Sequence, residues 1–171
     1  MSRVSWKLLT LYFVGYVIVQ IPLLHKFVLF NVAFSFFYLG FLVFFPLGQN
    51  PILRLIIGFL TGLYIDLFSN TPGLHASVCT FIMLFRDTWL MAILENQKGV
   101  LDINIYILKM RGVWLYVLPL IFLHHLMIFW INYGSWMGLF MTFDQISSST
   151  IFSLLSILLI NLVISKKPIR I

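Results

Sequence analysis

The apolar residues of this chain come in blocks long enough to cross a lipid bilayer as helices, separated by short runs of proline, glycine, asparagine and charge. A helix needs about 20 residues to traverse the hydrocarbon core. Six segments reach or approach that length, at about 8–24, 27–47, 52–68, 74–94, 112–133 and 146–165. Inside lipid a backbone finds no water, so each block must satisfy its own hydrogen bonds, which a helix does within one segment. Composition agrees, with 61% of the 171 residues apolar and 9% charged, where a soluble domain carries about a quarter. The expectation is an all-α integral membrane protein, a single polytopic domain over residues 1–171, folded as a compact bundle of about six transmembrane helices.

The breaks between blocks follow from residue chemistry. Arg3 and Lys7 before the first block could open a signal peptide, but the run to Leu24 is too long and no small-residue cleavage site follows. It reads as a retained first helix. Pro46 to Pro51, with Gly48 between them, cannot continue a helix. Ser69-Asn70-Thr71-Pro72-Gly73 forms the third turn, with Thr71 expected as N-cap and Pro72 at the first position of span four. Span four is unusual, since only twelve residues, Leu74 to Phe85, precede the charged pair Arg86-Asp87. It is expected either to be short and tilted or to run on through Leu94 along the membrane surface. Residues 95–111 mix charges with aliphatic side chains, as an interfacial segment does. The lone Cys79 excludes a disulfide framework within the chain.

Charge sets orientation. With six spans, one side receives Arg3, Lys7, Arg54, Arg86, Lys98, Lys109, Arg111, Lys166, Lys167 and Arg170, ten of the eleven basic residues, and only Lys26 falls on the other. Cytoplasmic loops carry the excess of Lys and Arg, so both termini are expected in the cytoplasm. The net charge of +6 is then a matter of topology and anionic lipid, and gives no argument for nucleic acid.

The polar residues within the blocks are few. Gly58, Gly62 and Asp66 lie four apart and share one narrow face of span three, where two glycines allow close approach of another helix of this bundle or of a partner. Two roles are open to Asp66. It can serve as an intramembrane binding group, or it can accept hydrogen bonds from the free N–H groups at the start of span four, around Thr71 to Leu74. His75 follows that turn. His124 and His125 sit within span five, 100° apart, so they cannot hold one ion together, and His125 shares a face with Asn132. Ser147, Ser148, Ser149, Ser153 and Ser156 are expected to support close helix packing. There is no HExxH motif, acid cluster or glycine-rich phosphate loop, so no cofactor or metal is expected and enzymatic chemistry has no evident home.

The stretch Gly58 to Arg86, with its core GFLTGLYIDLFSNTPGLHA, resembles the signature of the rod shape-determining protein MreD family. The aromatic second block FNVAFSFFYLGFLVFFP, the fifth block VLPLIFLHHLMIFW, the length and the basic C-terminus are similar to the family as well, so the resemblance covers nearly the whole chain. Asp87 stands where the family pattern has proline. The resemblance implies a non-enzymatic component of the bacterial inner membrane that binds the membrane-anchored periplasmic protein MreC. Through MreC it helps couple MreB filaments to the glycosyltransferase and transpeptidase of peptidoglycan synthesis. It further implies a fold similar to the substrate-binding subunits of energy-coupling-factor transporters, and a shared core of Gly58, Gly62, Asp66, Gly73, His75 and Arg86, with Arg86 at the cytoplasmic end of span four. The alternative from another class is the substrate-binding membrane subunit of a vitamin-type uptake transporter, which would need a polar pocket built from Asp66, His75, His124, His125 and Asn132.

Overall fold

The computed structural model describes residues 10, 13–18, 28–29, 33–46, 49–95, 112–135, 137 and 142–164. In chain order these form a π-helical turn Val14–Ile18, an antiparallel strand pair β1 (Val28–Leu29) and β2 (Ala33–Phe34), and a short helix α1 (Tyr38–Val43). Then come α2 (Pro51–Ser69), α3 (Leu74–Glu95), a π-helical stretch Val113–Val117 leading into α4 (Leu118–Tyr133), and α5 (Phe143–Ile164). Among the described residues four helices are long and apolar enough to cross a membrane, at Pro51–Ser69, Leu74–Leu94, Val113–Tyr133 and Phe143–Ile160. The described part of the chain is thus mostly helical, with the build of a multi-pass membrane protein. Large apolar side chains such as Leu67 and Leu159 point outward, 74% and 64% exposed, as suits helices solvated by lipid.

Helices α2 and α3 form a hairpin paired along its length. Asn50 caps α2 by accepting the Ile52 N–H at 2.9 Å, and Pro51 occupies the first helical position, where a missing N–H costs nothing. Asn70 ends α2 in the left-handed conformation (φ 55°), and Gly73 follows with φ 83°. The left-handed Gly73 delays the next helix, so α3 starts at Leu74, and the expectation of Pro72 as its first residue with Thr71 as N-cap is corrected. α3 then runs unbroken to Glu95. Arg86 and Asp87 lie inside it, so Arg86 is not at the end of the fourth span. The helix carries both charges because each has a partner from another element.

The second expected span, 27–47, is not one helix. Its described part is the β1–β2 pair, an irregular stretch at Ser35 and Phe36, and the short helix α1 with the residues after it to Pro46. Irregular backbone at membrane depth is tolerated where protein surrounds it, and here side chains of other helices replace the missing intrahelical partners. The Phe34 N–H donates to Ser149 Oγ at 2.9 Å and the Phe36 N–H to Ser153 Oγ at 3.0 Å, both on α5. At the other end, the α1 carbonyls of Leu42 and Val43 accept from Arg86 and from the Tyr116 hydroxyl. Gly40 lies against the Tyr16 ring with no room for a Cβ, which fixes α1 to the π-helical turn. The common core gathers Tyr16, Leu39, Leu42, Met83, Leu120, Ile121 and Ile157, all fully buried or nearly so.

Of the first span, 8–24, only residues 10 and 13–18 are described, and they are helical. The segment 95–111 lies outside the described residues beyond Glu95, as do Arg3, Lys7, Lys26, Lys98, Lys109, Arg111, Lys166, Lys167 and Arg170. Span six begins earlier than expected, at Phe143.

Candidate functional site

Gly58, Gly62, Asp66, His75 and Arg86 of the Gly58 to Arg86 motif are turned toward the α2–α3 contact or the bundle interior. Gly62 sits beneath the start of α3, where an added Cβ would run into the His75 carbonyl oxygen and the Ala76 backbone. Gly58 faces the Met83 side chain and the Cys79 carbonyl oxygen. The small-residue face is therefore filled by α3 of the same chain, and it is not open to a partner helix.

One turn further along, Asp66 is 3% exposed and fully engaged. Its Oδ1 accepts from the Thr71 hydroxyl, the His75 backbone N–H and His75 Nδ1, each at 2.9 Å, and its Oδ2 accepts from the Ala76 N–H at 2.9 Å. A helix leaves its first N–H groups without intrahelical partners. Asp66 supplies those partners from the preceding helix, and the positive end of α3 favours its charge. Because a carboxylate only accepts, His75 carries its proton on Nδ1. Thr71 approaches that same nitrogen at 3.0 Å. In a nucleophilic triad the acid holds one imidazole nitrogen and the hydroxyl meets the other. Here both crowd Nδ1, so the cluster holds a turn and does not activate the Thr71 hydroxyl.

The His75 ring leads inward to a cluster built around Phe36. Its ring centroid lies 5.7 Å from those of His75 and His124 and 5.1 Å from that of His125. The Tyr38 hydroxyl meets His124 Nε2 at 2.8 Å. His125 donates from Nδ1 to the Ile121 carbonyl at 2.8 Å, and its Nε2 lies 3.3 Å from Ser153 Oγ. The two adjacent histidines thus serve different elements. Asn132 is exposed near the end of α4 and does not join them. Phe36 and Tyr38 carry no signal in the sequence that sets them apart from the other aromatic residues. Ser149 and Ser153 do, as hydroxyls one turn apart in an apolar helix. Both hold the irregular segment before α1, and Ser153 also meets His125 of the neighbouring helix α4.

A second polar centre lies where α2, α3 and α1 meet. Arg86 is fully buried, donating through Nη1 to the Leu42 carbonyl, through Nη2 to the Phe45 carbonyl and through Nε to Asp87 Oδ1 at 2.8 Å. Its guanidinium stands 5.8 Å from the Phe45 ring centroid. Asp87 also pairs with Arg54 of α2. The planar fork of arginine lets one side chain hold two carbonyls and a carboxylate, which a lysine could not do. Among the described residues no group of three or more His, Cys, Asp or Glu is placed to hold a metal ion.

Set against protein-family models, curated proteins and solved structures, the chain matches none.

Proposed function

We propose that this chain is a non-enzymatic membrane scaffold of the bacterial cell-elongation machinery, of the MreD type. In this role it binds MreC and thereby helps couple MreB filaments to peptidoglycan synthesis. The observation that carries the reading is the fate of the motif residues. Gly58, Gly62, Asp66, His75 and Arg86 are spent on internal contacts that shape one helix hairpin and its junction with α1. Such a motif preserves a shape for another protein to recognise. The reading includes six spans, both termini in the cytoplasm and an architecture similar to energy-coupling-factor substrate-binding subunits. The surface that meets MreC is then sought away from the Gly58/Gly62 face.

The test is purification of the tagged full chain from bacterial membranes together with a single-span MreC. Stoichiometric co-elution that survives mild detergent is expected. Loss of MreC with retention of a tightly bound small molecule would overturn the proposal in favour of the transporter-subunit reading. That second reading draws on one observation, the buried Tyr38, His75, His124 and His125 around Phe36. Reporter fusions at Asn70 and Lys98 test the orientation, with the first expected outside and the second inside.

A further inference from the structure

The histidine pair does more than fill space, because one of its members is bonded to the side chain that holds the irregular backbone before α1. We propose that His125 and Ser153 form a proton-operated latch on the segment from Ala33 to Phe37, with a proton on His125 as its ligand. The argument begins with the tautomer. His125 Nδ1 faces the Ile121 carbonyl at 2.8 Å, and a carbonyl only accepts, so Nδ1 bears hydrogen and Nε2 of the neutral ring is an acceptor. Ser153 Oγ lies 3.3 Å from that Nε2 and 3.4 Å from the Phe34 carbonyl oxygen, while accepting the Phe36 N–H at 3.0 Å. A hydroxyl has one hydrogen to give. With His125 neutral, that hydrogen goes to Nε2 and ties α5 to α4. With His125 protonated, Nε2 becomes a donor, Ser153 accepts from it, and the hydroxyl hydrogen turns to the Phe34 carbonyl. One proton gained at His125 therefore reverses the α4–α5 hydrogen bond and adds one to the β2 strand.

His125 is fully buried, so its charged state forms only against the cost of desolvation, and the groups around it set that cost. The Phe36 ring lies 5.1 Å from the His125 ring, within the range in which an aromatic face attracts a cation. Beside His125 on its own helix is His124, 5.6 Å away and bonded to Tyr38 of α1. From the α3 side comes His75 across the Phe36 ring, with Asp66 of α2 bonded behind it. From α5 come the uncharged Ser149 and Ser153, bonded to the Phe34 and Phe36 amides.

Nitrogen NMR of the full chain in lipid bilayers, with ¹⁵N-histidine as the only label, reads the latch directly. At neutral pH the His125 signals, assigned by their loss in His125→Gln, are expected to show a protonated Nδ1 and an unprotonated, hydrogen-bonded Nε2. On acidification both nitrogens should become protonated while the helices persist. Amide exchange over residues 33–36, corrected for intrinsic pH dependence, should slow about 2- to 10-fold through the same transition, as the gain of one hydrogen bond implies. Ser153→Ala should uncouple the exchange rate from the His125 titration, and Ser153→Thr should restore it. A protonated Nε2 at neutral pH, a ring that stays neutral until the helices unfold, or an exchange rate indifferent to the titration each overturns the proposal. The spectra of the unsubstituted chain decide the first two points even if Ser153→Ala fails to fold.

Discussion

Gly62 of α2 lies against the backbone of Ala76 at the start of α3, so closely that no side-chain carbon fits between them. Gly58, one turn earlier, would bring a Cβ against Met83 Cγ and Cβ and the Cys79 carbonyl oxygen, a looser fit in which side-chain atoms share the contact. The two glycines therefore differ in what a methyl group would displace. Overpacking of a well-packed site costs about 1–3 kcal/mol. Gly62→Ala should fall at or above the top of that range, because it meets backbone alone, and Gly58→Ala lower, because Met83 Cγ can turn part of the way aside. Thermal unfolding in one detergent, monitored by loss of helicity, ranks the pair. Equal midpoints would mean that backbone and side chain yield alike at this contact, against the expectation.

Asp66 holds four donors with two oxygens, so its variants should separate charge from shape. Asn keeps one acceptor oxygen but turns an NH₂ toward donors, losing at least one charge-assisted bond worth about 1.5–3 kcal/mol. Ala leaves the buried backbone N–H groups of His75 and Ala76 without a partner, where each unpaired group is costly. Asp66→Ala should therefore lose about twice the stability of Asp66→Asn, and in a complementation assay rod growth should follow the same order. A proton carrier would give the opposite pattern, with both variants folded and both inactive.

Arg86→Lys is expected to behave as a severe substitution. The lysine ammonium is a point charge and cannot span Leu42, Phe45 and Asp87 at once, and removing part of a buried charged network costs about 3–5 kcal/mol. The variant should expose the connection after α1 to limited proteolysis near Pro46 while α2 and α3 remain paired. Cleavage unchanged from the parent chain would show that Arg86 does not hold that junction.

Ser149→Ala and Ser153→Ala each leave one part-buried N–H, of Phe34 or Phe36, without its partner. The expected cost is about 1–3 kcal/mol apiece. Ser156 instead donates within its own helix, to the Phe152 carbonyl, so Ser156→Ala should change the unfolding midpoint little. A flat result across all three serines would remove the hydroxyls as surrogate backbone partners.

The α2–α3 hairpin, α4 and α5 could be read from sequence because their backbone bonds are local and hydropathy reports them residue by residue. Pro51 and the Asn70 to Gly73 turn marked the ends for the same reason. The acceptor role open to Asp66 could be inferred from its distance to the turn, although the amides it meets are those of His75 and Ala76 and not the earlier ones. The second block could not be read. From Phe34 to Phe45 its apolar content is that of a spanning helix, yet its conformation depends on Ser149, Ser153, Arg86 and Tyr116, partners 41 to 119 residues away in sequence. Hydropathy scores the burial of a segment and is blind to who satisfies its backbone. Arg86 misled for a related reason: a charge in an apolar block reads as a boundary unless its carbonyl partners are known.

The bonds that hold α1 also fix the order in which the molecule can be completed. A ribosome delivers residues 33–46 before any of α3, α4 or α5 exists, and side chains from α3, α5 and the stretch leading into α4 supply the partners at both ends of that segment. Until Ser153 has been synthesised, the irregular form of the early segment would leave polar backbone unpartnered in lipid. It must wait at the membrane surface or in the translocation machinery while the later hairpin closes on its own contacts. A part of the chain made early is thus among the last to settle, and a chain stalled short of α5 would present that unfinished stretch to the cell's quality control.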